Sequence, residues 1–301
     1  MPLDGSHRRR RYVGGRDGVR VAPLTPAIGA VVEQLDLRTP LSRSQVASIG
    51  QALRDHKVLF FRGQSLSAPE LVAFGRAFGA LHCRQPTALP GHGDGESPSA
   101  HPEIHTFDYG ESRRGRENFW HFDVLPEGPA PAAILSARIV PEVGGDTLFS
   151  DLASVYDSLS DRQKERLEHA VGVYDFVFER RLARFRGKDE AEVMAMSMQP
   201  LQELPLVAHR PPPDGRTVLL LNPGFLVHIK DMTRKESRDL TDAVLTRINR
   251  PEFQCRFRWE AGDIAFWDNA SCVHYATNNY FPERRVMDRL TFSRMNAAES
   301  I

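Results

Sequence analysis

The 301-residue sequence predicts a double-layered β core with helices packed outside it. Helical patterns come early in the chain, and short alternating or apolar strand patterns dominate its later part. The composition, 41% hydrophobic and 26% charged, is ordinary for a soluble globular protein. Because neither an internal repeat nor a low-complexity linker divides the chain, we expect a single domain over residues 16–301.

The first elements alternate between strands and helices. Residues 16–33 predict short strands. Residues 42–57 start with a serine and carry apolar residues at helical spacing, which predicts a helix. The apolar run over residues 58–63 predicts a buried strand closed by glycine. Residues 67–81 predict a second helix with proline in its first turn.

The later elements are mostly strands. We expect a strand over 132–140, a strand starting in "GGDTLFSD", a mainly helical stretch over 151–172, irregular chain over 180–215, a strand over 217–222, a helix over 234–250 and a final strand over 284–294. The segments "FQCRFRWE" and "DIAFWDN" are predicted to form a hairpin.

Two segments fit neither pattern. Residues 1–15 contain "HRRRRY" and are expected to form a solvated, disordered basic tail rather than a nucleic-acid arm. Residues 86–118 are dense in glycine, proline and serine and predict a long loop. Long loops in a compact domain are usually functional or disordered, and our hypothesis for this one is an active-site lid.

The charge balance narrows the class of partner. With 39 basic and 39 acidic residues the formal net charge is zero, which disfavours nucleic acid or an anionic membrane as the main partner. No apolar run approaches the roughly 20 residues that span a bilayer. Three widely separated cysteines and the absence of a secretory signal favour the reducing cytoplasm. We therefore expect a small-molecule partner, and a homo-oligomer is compatible with the sequence.

The stretch "WHFDV" places His121 and Asp123 on one face of a predicted strand, with Trp120 and Phe122 on the other. A histidine and a carboxylate so placed can supply two ligands of a 2-His-1-carboxylate triad, which suits non-haem Fe(II). The spacing alone is weak evidence, because a structural hydrogen bond or an acid–base pair would also explain it. A second His-x-Asp, His92-Gly93-Asp94, is discounted because a flexible glycine-rich loop holds ligands poorly.

A further histidine and an arginine-bearing strand follow near the C-terminus. In the final strand Arg285, Met287, Arg289 and Thr291 share one face. Two arginines on an inward face are expensive without anionic partners, and a dicarboxylate would supply them. An exposed strand edge is the alternative.

These segments together resemble the TauD/TfdA family of Fe(II)/2-oxoglutarate-dependent dioxygenases, from about residue 18 to 296. The resemblance is carried by "VLFFRGQSLS", "AFGRAFGALH", "WHFDV", "GGDTLFSD" and the stretch from "RPEFQCRF" to "RRVMDR". It implies a double-stranded β-helix, or jelly roll, flanked by helices.

The resemblance also implies roles for individual residues. The metal ligands, which are also the catalytic group, would be His121, Asp123 and His274. Arg285 and Thr147 would bind the distal carboxylate of 2-oxoglutarate. Arg289 would lie beside the substrate or near the cosubstrate's other carboxylate.

The implied reaction uses Fe(II), 2-oxoglutarate and O2, releases succinate and CO2, and oxidises an unactivated C–H bond. In taurine dioxygenase a histidine that helps hold the sulfonate and a nearby tyrosine occupy the positions of Arg84 and Thr87 here, so taurine is not the expected substrate. Arg84, Arg289 and His82 are the candidate substrate-binding residues. We expect a small organic acid, with a carboxylate or a sulfonate-like group.

Two other classes of protein stay open at this point. A His-Asp-His site can bind zinc and hydrolyse a substrate through an activated water. A jelly roll can also bind a small acid without catalysis. An arginine clamp for 2-oxoglutarate distinguishes the oxygenase, because a hydrolase does not need one.

Overall fold

The computed structural model describes residues 13–14, 18–83, 101–125, 128–210 and 215–296. The predicted basic tail therefore falls almost entirely outside the described residues, as do Arg84 and His92. No helix within the described ranges is both long enough and apolar enough to cross a membrane.

The first and last helices match their sequence signals closely. Ser42 accepts a hydrogen bond from the Gln45 backbone and begins α1, and Thr233 caps the last helix in the same way through Glu236. The helices are α1 Arg43–His56, α2 Ala68–Arg76, α3 Leu152–Asp157, α4 Asp161–Glu168, α5 Phe178–Phe185, α6 Glu190–Ala195 and α7 Arg234–Ile248, with a short 3-10 helix at Pro251–Phe253.

The strands of the first half are β1 Val13–Gly14, β2 Arg20–Pro23, β3 Ala30–Glu33, β4 Val58–Phe61, β5 Gly79–Leu81, β6 Ile104–Tyr109, β7 Val124–Leu125, β8 Gly128–Pro129, β9 Ala132–Ile139 and β10 Thr147–Asp151. Those of the second half are β11 Val171–Tyr174, β12 Gln202–Pro205, β13 Val207–His209, β14 Thr217–Leu219, β15 Leu226–Ile229, β16 Gln254–Phe257, β17 Ile264–Asp268, β18 Cys272–Ala276 and β19 Arg285–Met295.

Two facing layers of strands confirm the predicted jelly roll. The larger sheet runs β1-β2-β3-β4-β17-β9-β19-β5, and β6 pairs with the other part of β19. The smaller layer contains the β16-β10-β18 sheet, with β12-β11-β15 as a separate sheet. The order is strongly non-sequential, as expected when a chain crosses repeatedly between two layers.

Three hydrophobic clusters hold these layers together. One packs α1 and α2 on the outside of the larger sheet, and another packs α3, α4 and α7 against the smaller layer. The third lies between the sheets and is rich in aromatic side chains: Phe60, Phe149, Phe257, Trp259 and Trp267. Phe60 and Phe257 stack across it with ring centroids 4.0 Å apart.

The structure corrects four predictions of local structure. The second helix, predicted over 67–81, ends at Arg76, because residues 79–81 form β5 and pair with β19. The predicted hairpin is wrong, because β16 pairs with β10 in the smaller sheet whereas β17 pairs with β4 and β9 in the larger one. The stretch 180–215, predicted as irregular, contains helical and strand segments. Residues 104–109, predicted as part of a long loop, form β6 because their backbone groups pair with β19.

Candidate active site

The predicted metal ligands meet between the two layers. One ligand atom from each of His121, Asp123 and His274 lies within 4.8 Å of the others, and all three residues are buried. His121 and His274 exchange two backbone hydrogen bonds, of 3.0 and 2.7 Å. This isolated bridge brings a residue of the "WHFDV" stretch onto β18. Within the predicted strand, His121 forms only this bridge and Val124 begins the short β7, yet the predicted separation of faces holds, because Trp120 and Phe122 pack into the helix-side cluster.

Two buried asparagines hold the backbone of the short ligand stretch. The Asn269 carboxamide oxygen accepts from the Asp123 N–H at 2.8 Å, and its nitrogen donates to the Asp123 carbonyl at 2.7 Å. Asn222 donates to the carbonyl of Phe122 at 3.0 Å. Buried backbone groups need such partners, so these side chains replace the ladder that a regular strand would provide.

The environment keeps both histidines neutral. Burial lowers the pKa of His121, and burial together with the neighbouring His121 lowers the pKa of His274 to about 3. His121 Nδ1 lies 2.8 Å from the Phe119 carbonyl, which requires a proton on that nitrogen. The lone pair of His121 is therefore on Nε2, as metal ligation requires.

Asp123 is held ionised in spite of its burial. Burial alone would raise its pKa, but the positive charge of Arg289 opposes burial, and the pKa is lowered. Arg289 Nη1 donates to Asp123 Oδ1 at 2.6 Å, whereas the buried Oδ2 has no hydrogen-bond partner among the described residues. An orphaned carboxylate oxygen next to neutral imidazoles fits a divalent metal ion.

A cavity extends from the ligands into the space between the sheets. Its apolar walls come from Phe107, Leu135, Phe149, Trp267 and Ala276, and its polar lining includes Thr147, Arg285 and Arg289. Phe107 belongs to β6, where it lies opposite Met287 of β19. The strand that the sequence did not predict thus forms one wall of the cavity.

Arg285 is buried at this cavity and forms no ion pair with any acidic residue in the described ranges. Its Nε and Nη2 atoms have no hydrogen-bond partner among the described residues, and the residue is only 5% exposed. Burial lowers the pKa of its guanidinium. A buried, unpaired cation is costly, so this position calls for an anionic ligand.

Thr147 faces the same cavity from β10 on the smaller sheet. Its hydroxyl oxygen accepts a hydrogen bond from the Trp259 indole N–H at 3.0 Å. An indole nitrogen can only donate, so the Thr147 proton stays available for an acceptor in the cavity. A carboxylate is acceptor-only when ionised and matches both Thr147 and Arg285.

A model of the taurine catabolism dioxygenase TauD, TfdA family matches residues 20–291. The chain belongs to the TauD/TfdA family. This TauD/TfdA protein is an α-ketoglutarate-dependent dioxygenase, in agreement with the resemblance of its motifs.

Characterised relatives cover most of this TauD/TfdA protein. It is 30% identical to an alkylsulfatase of Acinetobacter baylyi, over 91% of this chain and 85% of the relative. It is 31% identical to an α-ketoglutarate-dependent 2,4-dichlorophenoxyacetate dioxygenase of Cupriavidus pinatubonensis, over 89% of this chain and 96% of the relative.

Solved structures agree with the fold of this TauD/TfdA protein. A taurine dioxygenase from Burkholderia xenovorans superposes with a TM-score of 0.74 at 33% identity, covering 91% of this chain and 89% of that one. A structure of AAD-2 in complex with Mn(II) and N-oxalylglycine gives a TM-score of 0.73 at 25% identity, covering 94% and 99%.

The sequence did not single out several residues of the TauD/TfdA site. Glu117 lines the cavity, and its carboxylate accepts a hydrogen bond from the Tyr109 hydroxyl at 2.6 Å. Both residues lie in the stretch predicted as a loop. Asn269 was also missed as a site residue, although it is the last residue of the predicted strand segment "DIAFWDN".

The remaining predicted residues lie elsewhere. His82 is half-buried after β5, where its backbone N–H bonds to the Thr291 carbonyl, and the described lining of the cavity does not include it. Arg84 falls outside the described residues. Cys272, one of the three widely separated cysteines, is fully buried in the cluster between the sheets.

Proposed function

We propose that the chain uses Fe(II) held by His121, Asp123 and His274. Two neutral imidazoles and one carboxylate are the donor set that suits this ion, and the orphaned Asp123 Oδ2 fits a ligand role. When bound, the ion would supply the redox chemistry that activates O2. The other contributions belong to residues of the chain.

We propose that Arg285 and Thr147 bind the distal carboxylate of 2-oxoglutarate. The observation that carries this assignment is the buried Arg285 guanidinium, which faces the ligand cavity and has no anionic partner among the described residues. A guanidinium binds a carboxylate through paired charge-assisted hydrogen bonds. Arg285 and Thr147 would fix the cosubstrate at its far end, and the apolar walls would exclude water from the reacting end.

In the proposed reaction, 2-oxoglutarate, O2 and a C–H bond give succinate, CO2 and a C–OH group. One oxygen atom enters succinate and the other enters the product, so atoms and electrons balance. Desaturation or cleavage next to a heteroatom would follow from the same initial loss of hydrogen.

We propose a small organic acid as the primary substrate. Relatives are described as dioxygenases of sulfate esters, of 2,4-dichlorophenoxyacetate and of (S)-phenoxypropionate, all of which are acids. Arg289 already pairs with Asp123, so the acids oxidised by these relatives are the support for an acidic substrate. The zinc-hydrolase alternative is not favoured, because hydrolysis needs no anionic cosubstrate and would leave the buried Arg285 guanidinium without a ligand.

The test is substrate-dependent turnover of 2-oxoglutarate with a panel of acids and their neutral amides. We expect succinate formation to require Fe(II) and O2 and to be stimulated by acids. Zn(II) should not replace Fe(II). Hydrolysis in the presence of zinc, without any consumption of 2-oxoglutarate, would overturn the proposal; equal stimulation by amides would overturn the substrate class alone.

A further inference from the structure

A second cavity lies beside the ligand group, between helix α5 and the segment that leads into β15. Its described lining includes Arg181, Arg184, Phe185 and Phe225. The ring of Phe225 packs edge-on against Phe119 with centroids 5.6 Å apart, and Phe119 packs against His121 at 4.8 Å. Phenylalanine rings thus separate this cavity from a metal ligand.

The charges around this cavity do not cancel. Asp175 is buried and binds both Arg180 and Arg184. Arg184 also pairs with Glu190 at 2.6 Å. These two acids and two arginines balance one another, whereas Arg181 has no ion pair within the described residues. Arg181 therefore supplies one surplus positive charge.

The guanidinium of Arg181 is held in place but not saturated. It lies over the Phe119 ring at 3.6 Å, and its Nε donates to the Gly224 carbonyl. Its two terminal nitrogens donate no hydrogen bond within the described part of the chain. Burial lowers the pKa of this half-buried group, which is the cost that an anionic ligand would offset.

We propose that this cavity is the subsite for the acidic group of the primary substrate, bound by the terminal nitrogens of Arg181. The inference rests on the proposed function, which requires an acidic substrate. It assigns that acid to Arg181 because Arg289 already pairs with Asp123 and Arg285 is assigned to 2-oxoglutarate. A planar guanidinium suits carboxylate and sulfate groups alike.

The residues that line this cavity also indicate the chemistry of the rest of the substrate. Phe185, Phe225, Leu226 and Val227 are apolar, and Phe185 is 85% exposed at the rim. The site therefore suits an acid with an apolar body. The Phe119 ring lies between Arg181 and His121. The part of the substrate that joins the acidic group to the oxidised carbon must therefore be long enough to extend around the edge of this ring.

Calorimetry on a complex that cannot turn over tests the subsite. The protein is loaded with Mn(II) and N-oxalylglycine and titrated with hexyl sulfate, phenoxyacetate and the neutral phenoxyacetamide. Arg181→Gln is compared with Arg186→Gln, which removes the same charge from an exposed residue at the end of the same helix.

We expect Arg181→Gln to weaken binding of at least one of the two anions about tenfold to a hundredfold, as for loss of a charged hydrogen-bond partner. Binding of phenoxyacetamide and N-oxalylglycine should not change, and Arg186→Gln should match the wild type. Unchanged anion binding in Arg181→Gln would overturn the subsite. The same conclusion would follow if the substitution lowered the stability of the protein and had no other effect.

The test also distinguishes this inference from the proposed function. If wild type binds N-oxalylglycine but neither anion, the subsite is overturned and the dioxygenase assignment stands. If it does not bind N-oxalylglycine in the presence of Mn(II), the proposed function itself fails.

Discussion

Arg289 and Asp123 form an ion pair at the centre of the site, with Nη1 2.6 Å from Oδ1. The pair occupies one oxygen of the only carboxylate in the ligand group and leaves the buried Oδ2 without a partner. Arg289 therefore orients the Asp123 carboxylate, and this orientation leaves the Oδ2 oxygen available to a metal ion.

Replacing Arg289 by leucine should leave the Asp123 charge uncompensated in the metal-free protein. We expect the free energy of unfolding to fall by about 2 kcal/mol, less than for a fully enclosed pair because Arg289 is partly exposed. A metal ion can take over as counter-charge, so Mn(II) should raise the Tm of Arg289→Leu more than that of wild type. Thermal unfolding with and without Mn(II) measures the loss of stability and the effect of the metal. An equal rise in Tm for wild type and Arg289→Leu would contradict the role of Arg289 as the counter-charge of Asp123.

Asn269 should control metal affinity without touching the metal. Asn269→Ala removes partners from both backbone groups of Asp123, and loss of such supporting contacts typically weakens metal binding tenfold to a hundredfold. Titration with Mn(II) provides the measurement. Asn278→Ala is the control, since Asn278 donates to the Gly115 carbonyl away from the ligands. Wild-type affinity in Asn269→Ala would refute the role.

Trp259 should act on cosubstrate binding through Thr147. Trp259→Phe removes the N–H that directs the Thr147 proton into the cavity, and the KM for 2-oxoglutarate should rise about threefold to tenfold. Thr147→Val should have a similar effect, and the double variant should add little to it. Trp120→Phe, which loses a bond to Asn249, is the matched control. Fully additive effects would mean that Trp259 does not act through Thr147.

The three ligand positions should be indispensable. His121→Ala, Asp123→Ala and His274→Ala should each abolish succinate formation while the far-ultraviolet circular dichroism stays native, because three ligands are the minimum facial set. His92→Ala, in the second His-x-Asp, should retain the metal. Substantial activity in Asp123→Ala would show that the ligand set is misassigned.

The family resemblance made much of the site predictable. It selected His121, Asp123, His274, Thr147 and Arg285; the structure groups the first three, and all but Asp123 line one cavity. Asn269 was missed because its role depends on a backbone 146 residues away. A local sequence pattern does not reveal a contact between residues that lie so far apart along the chain.

The errors in the fold have a similar cause. Alternation predicts a strand at β16 and at β17, but it does not say in which sheet each strand pairs. Their connection crosses between the layers, so the expected hairpin does not form. The short β6 lies among glycines and prolines and owes its structure to the neighbouring β19, which the local sequence does not reveal.

The central claim is that Arg285 and the His-Asp-His group bind one cosubstrate together. The most direct measurement is the visible spectrum of the apoprotein mixed with Fe(II) and 2-oxoglutarate without oxygen. We predict a weak charge-transfer band that Asp123→Ala abolishes. The 2-oxoglutarate concentration that gives half of the maximal band should be higher by about tenfold or more in Arg285→Leu, since a charged hydrogen bond contributes roughly 1.5–3 kcal/mol. Arg284→Leu, at the neighbouring exposed arginine, should titrate as wild type. A wild-type spectrum without the band, or an Arg285→Leu titration that matches wild type, would contradict the account.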